Sequence, residues 1–138
     1  AYTSKVTGSL QNKALASITD QLEPANSNDH TWPYYHWWPN NNRWEWVRFD
    51  FAGPETVSKT KVYWFDDGPF GGCRIPDAWD IEYLAGGSWK KVSPVSPLTV
   101  TKDAWNSAEF APVKTSSLRI NVKLNTEFSS GIHEVIIE

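Results

Sequence analysis

Five of the nine tryptophans fall between Trp32 and Trp46, with Tyr34, Tyr35 and His36 among them: Trp32-Pro-Tyr-Tyr-His-Trp-Trp-Pro39, then Arg43-Trp-Glu-Trp46. Tryptophan offers a large flat apolar face at low conformational cost, with one N–H to fix its orientation. That is what stacking on a sugar ring or a nucleobase requires. Pro33 and Pro39 interrupt the run and an Asn-Asn-Asn turn follows it, so several of these rings are expected on loops rather than in a continuous strand or helix. The other use for such rings is to plug the end of a barrel. Large aromatics are rarely so concentrated without a surface to serve, which favours exposure for part of the cluster.

Oxygen-bearing side chains alternate with turn formers in Asp20-Gln-Leu-Glu-Pro-Ala-Asn-Ser27-Asn-Asp29. A bent loop of this kind suits a hard cation such as calcium, which takes roughly six to eight oxygen ligands. It equally suits an Asx-rich surface loop whose side chains cap their own backbone. The carboxylate spacing and closing glutamate of an EF-hand are missing. A second segment, Trp64-Phe-Asp66-Asp67-Gly-Pro-Phe-Gly-Gly-Cys-Arg74-Ile-Pro, holds adjacent carboxylates. In a continuing strand they point to opposite sides, so they do not flank one bond as hydrolysis needs. One carboxylate orienting Arg74 or accepting ligand hydroxyls, with glycines allowing close backbone approach, is one use. An acidic turn locked by Arg74 is the other. His30, His36 and His133 lack metal-ligand spacing among themselves, and no serine sits in an elbow motif. Only His36 lies inside the aromatic run. Cys73 has no base beside it and reads as a structural thiol. No phosphate-binding glycine loop and no catalytic machinery are recognisable.

The elements that must position these segments read as short strands. In Trp44–Phe51, Val47, Phe49 and Phe51 alternate with Trp44, Trp46, Arg48 and Asp50, which puts the first set toward a core. Ala-Gly-Pro-Glu turns the chain into Val57–Phe65, where Val62 and Trp64 share a face. Trp79, Ile81 and Tyr83 alternate next, and Gly86-Gly87 closes a hairpin onto Ser88–Val92. After a Ser-Pro-rich connection come a short segment at Leu98–Thr101, then Trp105–Phe110, then a strand marked by Leu118, Ile120, Val122 and Leu124. Ile132–Ile137 is apolar on both sides and therefore central. About eight strands at such spacing, with no convincing helical period, predict an all-β antiparallel jelly-roll β-sandwich. Long loops survive at 17–42 and 66–78, and function belongs on such loops.

The 138 residues suffice for one domain with a core that needs no staples, and the single cysteine excludes an internal disulfide framework. A net charge of −3 with no basic run argues against a nucleic-acid partner. No apolar stretch is long enough to span a membrane. The opening Ala1-Tyr-Thr-Ser and the lack of methionine read as a processed piece of a longer protein.

The chain resembles the discoidin-like domains, also called coagulation factor 5/8 type C, among the galactose-binding-like sandwiches. The residues that carry this are the Asp20 loop after Ala14–Thr19, Trp46-Val-Arg-Phe-Asp-Phe51 in place of the family's Trp-Leu-Gln-Val-Asp-Leu strand, and Val57–Trp64 after it. Trp79-Asp-Ile-Glu-Tyr83 with Gly86-Gly87-Ser-Trp89-Lys-Lys-Val92 follow, then Leu118-Arg119-Ile120 and Gly131-Ile-His-Glu134-Val. The match spans essentially the whole chain as one module, 1–138. A narrower similarity is to discoidin-like modules appended to bacterial polysaccharide-degrading enzymes, particularly β-L-arabinofuranosidase-type glycoside hydrolases. It rests on Ser27-Asn-Asp-His30, His36-Trp-Trp-Pro39, Glu45-Trp-Val47, Tyr63-Trp-Phe-Asp-Asp-Gly68 and Gly72-Cys-Arg-Ile-Pro76.

The resemblance implies a structural calcium ion under the N-terminal loop, held by Asp20, Ser27 and Glu134 with loop carbonyls near Thr19 and Leu22. The family's usual Asp-Gly is Asp20-Gln21 here, so a positive φ at that position would be strained. The resemblance also implies a sugar site on loops at one end of the sandwich: the aromatic loop, the Asp66–Arg74 loop and the turn at 125–128. One or two of Trp32, Tyr34, Tyr35 and Trp37 would be stacking platforms, and His36, Asp66, Asp67 and Arg74 hydroxyl partners. Trp38 and Trp46 are expected as core plugs. The expected function is non-catalytic carbohydrate binding by a secreted, periplasmic or cell-surface bacterial module, with a catalytic glycoside hydrolase domain in cis. The alternatives are a structural accessory domain packing on a catalytic domain without a sugar site, a small hydrolase using Asp66, Asp67 or Glu127, and a lipid-binding module. The last needs hydrophobic spikes flanked by basic residues, and the aromatic loop has only Arg43 nearby.

Overall fold

The computed structural model describes residues 3–138. Among these residues seven antiparallel strands form the fold: β1 (Lys5–Gly8), β2 (Tyr35–His36), β3 (Trp44–Phe65), β4 (Ala78–Ala85), β5 (Ser88–Lys91), β6 (Trp105–Lys123) and β7 (Gly131–Ile137). The expected eight differ from these: the predicted pairs Trp44–Phe51 with Val57–Phe65, and Trp105–Phe110 with Leu118–Leu124, are each one long strand, and β1 and β2 were not expected. β3 and β6 pair along most of their length, and the register shifts between Asp50 and Glu55. There the Ala-Gly-Pro sequence bends the ladder without ending it. Leu98–Thr101 forms no strand. A 3₁₀ helix at Lys13–Thr19, capped by the Asn12 side chain accepting from the Ala14 N–H, was not anticipated.

The bend divides the ladder into two faces of a sandwich. On one side the first half of β3 pairs with β1 and the second half of β6 with β4, which pairs with β5; on the other, the second half of β3 pairs with β7, which pairs with β2. Inward side chains of both halves meet in one core: Val47, Phe49, Ile81, Leu118, Ile120 and Val122 against Val62, Trp64, Ala108, Phe110, Ile132 and Val135. Trp64 of β3 and Trp79 of β4 touch edge to face, with centroids 5.6 Å apart. Each such fully buried side chain contributes about 1.5–3 kcal/mol. The β4–β5 hairpin forms as expected, Gly86 and Gly87 taking φ of 57° and 80°, the left-handed pair that a tight two-residue turn requires. β7 lies between β2 and β3; its first five residues are buried, His133 and Glu134 among them, and the 3₁₀ helix packs against it, so the strand is central but not apolar on both faces as expected.

Candidate functional site

The loop after β3 is held from within by its own charged groups. Asp66 is buried; one carboxylate oxygen accepts from the Gly68 N–H at 3.0 Å and the other from the Ile75 N–H at 2.9 Å. Both oxygens are committed to backbone, so Asp66 braces the loop and is not the hydroxyl partner expected from sequence. Arg74 donates to the carbonyls of Gly71 (2.7 Å), Cys73 (2.8 Å) and Pro69 (3.2 Å) and lies over the Phe128 ring at 4.1 Å. It is a second brace, which corrects its expected role as a ligand contact. Asp67 accepts from the Cys73 N–H at 2.8 Å through Oδ1, with Arg74 3.7 Å away. Its side chain stays partly accessible. Buried Cys73 has its thiol pushed up to about 12 by burial and by the nearby Asp67 and Asp66, so it stays protonated and inert.

The aromatic segment obeys a period of two that its prolines conceal. Pro33 and Pro39 bracket residues 34–38 rather than break them. Tyr35 and Trp37 turn inward and are fully buried, Tyr35 donating to the Leu10 carbonyl at 2.6 Å and Trp37 Nε1 to Ser9 Oγ at 3.1 Å. Neither can serve as a stacking platform, a correction that follows from β2 pairing with β7. Tyr34, His36 and Trp38 turn the other way. With Phe65, Asp67, Gly72 and Cys73 they line a depression of about 150 Å³. Trp38, expected as a core plug, is instead 56% exposed. Its indole rests on Gly72, where an added Cβ would stand 2.5 Å from Trp38 Nε1; at Gly71 it would stand 1.9 Å from the Asp67 carboxylate. The Gly-Gly pair therefore admits the carboxylate on one side and the indole on the other.

Tyr34 is less free than its position suggests, because one face stacks on Phe65 at 3.8 Å and 11°. His36 is half-buried; burial lowers its pKa, against the pull of Asp67, so the ring is neutral near pH 7. Its Nδ1 is buried without a hydrogen-bond partner. Trp32 is 42% exposed outside this depression, and Trp46 is half-buried on the outer face of β3 rather than in the core. Phe70, at the tip of the braced loop, is 98% exposed. The 125–130 segment joins the loops: Asn42 donates to the Asn125 carbonyl (2.7 Å), Trp37 to that of Ser130 (3.0 Å) and Arg74 to that of Ser129 (2.9 Å). Trp38 and Phe70 are the exposed rings that sequence reading missed. The alternation Tyr34/His36/Trp38 against Tyr35/Trp37 was the available signal for the first.

Of the residues expected around a cation, Asp20 and Glu134 meet and Ser27 does not join them. Glu134 accepts from the Gln21 N–H at 3.0 Å through Oε2, while Oε1 is buried without a partner. Burial, opposed by the Gln21 N–H and reinforced by the neighbouring Asp20 carboxylate, pushes the Glu134 pKa up to about 8. Gln21 takes the φ of +65° that glycine would adopt without strain. Ser27 is committed elsewhere: Oγ accepts from the Asp103 N–H at 2.8 Å, and its carbonyl accepts from His133 Nε2 and the Asp66 N–H. Asp29 accepts from the N–H groups of Ala25 and Thr31, which hold its pKa down at about 2. Two adjacent carboxyls, one with an orphaned buried oxygen, fit an oxygen-seeking cation completed by carbonyls. Among the described residues no three His, Cys, Asp or Glu side chains converge.

The bent-ladder sandwich has the fold of solved family 32 carbohydrate-binding modules. No family model matches the sequence. The chain superposes on a chain of the Streptococcus pneumoniae beta-galactosidase BgaA with a TM-score of 0.78 at 21% identity, covering 96% of this chain and 89% of that one. The family 32 module of C. perfringens NanJ, solved in complex with galactose, matches at 0.69 and 13%, covering 98% and 93%. The family 32 module of AlyQ, in complex with 4,5-unsaturated mannuronic acid, matches at 0.66 and 20%, covering 97% and 93%.

Proposed function

We propose that this protein is a non-catalytic carbohydrate-binding module whose site is the depression between Trp38, His36, Tyr34 and Asp67. The observation that carries the reading is Trp38, 56% exposed and seated on a glycine that leaves it room. A sugar stacked on the indole meets neutral His36 as a donor and Asp67 as an acceptor. That pairs an apolar face with groups that bond hydroxyls. The two sugar-bound structures with this fold support the ligand class. With few contacts, one site binds weakly, Kd on the order of 0.1–1 mM. Tethered to a glycoside hydrolase in cis, such a module raises the local concentration of its partner on polymer. A bacterial secreted or surface location follows from polymeric substrates outside the cell. We further propose a structural calcium ion held by Asp20, Glu134 and neighbouring carbonyls.

The test is titration with a glycan panel, following tryptophan fluorescence. Wild type should give a saturable response to one sugar class. Trp38→Ala should lose it at least tenfold in affinity while its melting temperature stays within a few degrees. A Trp38→Ala variant that binds as wild type sinks the reading. No response anywhere on the panel favours a structural accessory domain.

A further inference from the structure

The outer face of the first sheet carries a second cluster that the loop site does not use. Strand parity aims Trp44 and Trp46 of β3 outward, and Trp46 pairs with Asn121 of β6, which pairs with Asp80 of β4. The next row outward along β6 is Arg119, beside Glu82 and, across β5, Lys91. Trp44, Trp46, Asp80, Glu82, Lys91 and Asn121 line a depression of about 320 Å³. Trp44 is 52% exposed there. The two indoles are two residues apart on one strand, about 7 Å.

The polar groups beside them are already oriented. Asn121 donates to Asp80 Oδ1 at 2.8 Å and to Glu82 Oε1 at 2.6 Å, and Arg119 reaches Glu82 Oε1 at 3.2 and 2.7 Å. All of these bonds to Glu82 fall on the same oxygen, Oε1. Lys91 lies 3.3 Å from Asp80 Oδ2. Burial works against the charged form of Glu82, but Arg119 and Asn121 outweigh it and lower its pKa, so the carboxylate is ionised. At the far end Arg48 and Arg119 lie over the Trp89 ring at 5.1 and 4.4 Å and fix that edge.

Charge selects the occupant. The carboxylates are each paired with a cation, Asp80 with Lys91 and Glu82 with Arg119, so the face offers little net positive charge to phosphate, sulfate or uronate groups while its carboxylate oxygens accept from hydroxyls. A protein partner would have to desolvate these ionic groups and pair each of them, at a cost that open rims seldom recover. Sugar hydroxyls bond them one at a time while the ring faces stack on indole. The depression is shallow and lies on an exposed sheet face rather than in an enclosed cavity, so it accommodates an internal stretch and not only a chain end.

We propose that the Trp44–Trp46 face is a second glycan site, taking an internal segment of a neutral polysaccharide, independent of the loop depression. The test uses affinity electrophoresis and calorimetry on galactomannan, arabinogalactan, xylan and mixed-linkage glucan, with polygalacturonate as the acidic comparison. The variants are Trp44→Ala, Asn121→Ala and Trp38→Ala, each checked by circular dichroism. Trp38→Ala should keep binding to at least one neutral polymer. Trp44→Ala should lose that binding at least tenfold, yet keep the wild-type response to small sugars, and Asn121→Ala should weaken it several-fold. Failure of the loop reading would appear as an unchanged small-sugar response in Trp38→Ala and leaves this test intact. The proposal is overturned if Trp44→Ala retains polymer binding, if no neutral polymer binds, if polygalacturonate binds best, or if the wild type dimerises through a contact that Trp44→Ala abolishes.

Discussion

Replacing Glu134 by glutamine should stabilise the cation-free protein, and by an amount that grows with pH. Glu134 is buried against Asp20 with a folded-state pKa of about 8, where an unhindered glutamate has 4.5. The folded state therefore holds a proton that the unfolded chain has released across this interval. Stability present below about pH 4.5 is lost as pH rises through about 8. The difference of about 3.5 pKa units, at about 1.4 kcal/mol each, makes the full loss about 5 kcal/mol and the loss at pH 7 about 3 kcal/mol. A glutamine side chain carries no charge at any pH and keeps an oxygen for the Gln21 N–H, so the variant escapes this loss. In chelator, thermal melts of Glu134→Gln and wild type should nearly coincide at pH 4 and separate by roughly 10 °C at pH 7. Taking the difference between the two proteins removes the opposite contributions of His36 and His133, whose pKa values burial lowers in both. Added calcium should raise wild-type stability by about 2.7 kcal/mol at one hundred times Kd, and leave the variant unmoved. A difference in melting temperature that does not change between pH 4 and pH 8 would refute the argument that Glu134 is held as an uncompensated buried acid.

Two further outcomes follow from the way the loops are built. Trp37→Ala should cost about 3–5 kcal/mol in denaturant unfolding, because it empties a fully enclosed site and removes the indole's hydrogen bond to Ser9; a loss of sugar response without that cost would place Trp37 at the surface instead. Asp66→Ala should destabilise by about 2–4 kcal/mol by orphaning the Gly68 and Ile75 N–H groups, and faster hydrogen exchange at those two amides would be its signature. If those amides exchange no faster than in wild type, the brace does not depend on Asp66.

The loop braces and the glycine contacts explain why the exposed rings can be presented at all. Phe70 is almost wholly exposed on a loop whose Asp66 carboxylate and Arg74 guanidinium are spent on its own backbone, while Asp67 gives one oxygen to the Cys73 N–H. Side chains that look reactive in sequence are thus largely consumed in holding a shape, and the surface left over is aromatic with the Asp67 carboxylate beside it. That division of labour suits recognition, where preorganisation lowers the entropic cost of binding.

Alternation along the chain determined the sandwich, the core faces of β3, β4 and β6, and the Gly86-Gly87 hairpin, because a period of two and a two-residue turn are local properties of the backbone. The likeness to the discoidin-like domains, not alternation, pointed to Asp20 and Glu134, which the structure brings together, and to position 21 as one where a positive φ would be strained, as Gln21 has it. Sequence alone did not show that β3 and β6 run unbroken through the corner. A bend supported by a paired neighbour looks in sequence like a strand end. Nor did it separate Trp37 from Trp38. Adjacent residues on a strand face opposite ways, and only the pairing of β2 with β7 decides which way is inward. Asp66 and Arg74 became braces for the same reason: backbone groups that need partners are invisible until the loop has closed on itself. Tertiary structure alone therefore decided which rings and charges remained for a ligand.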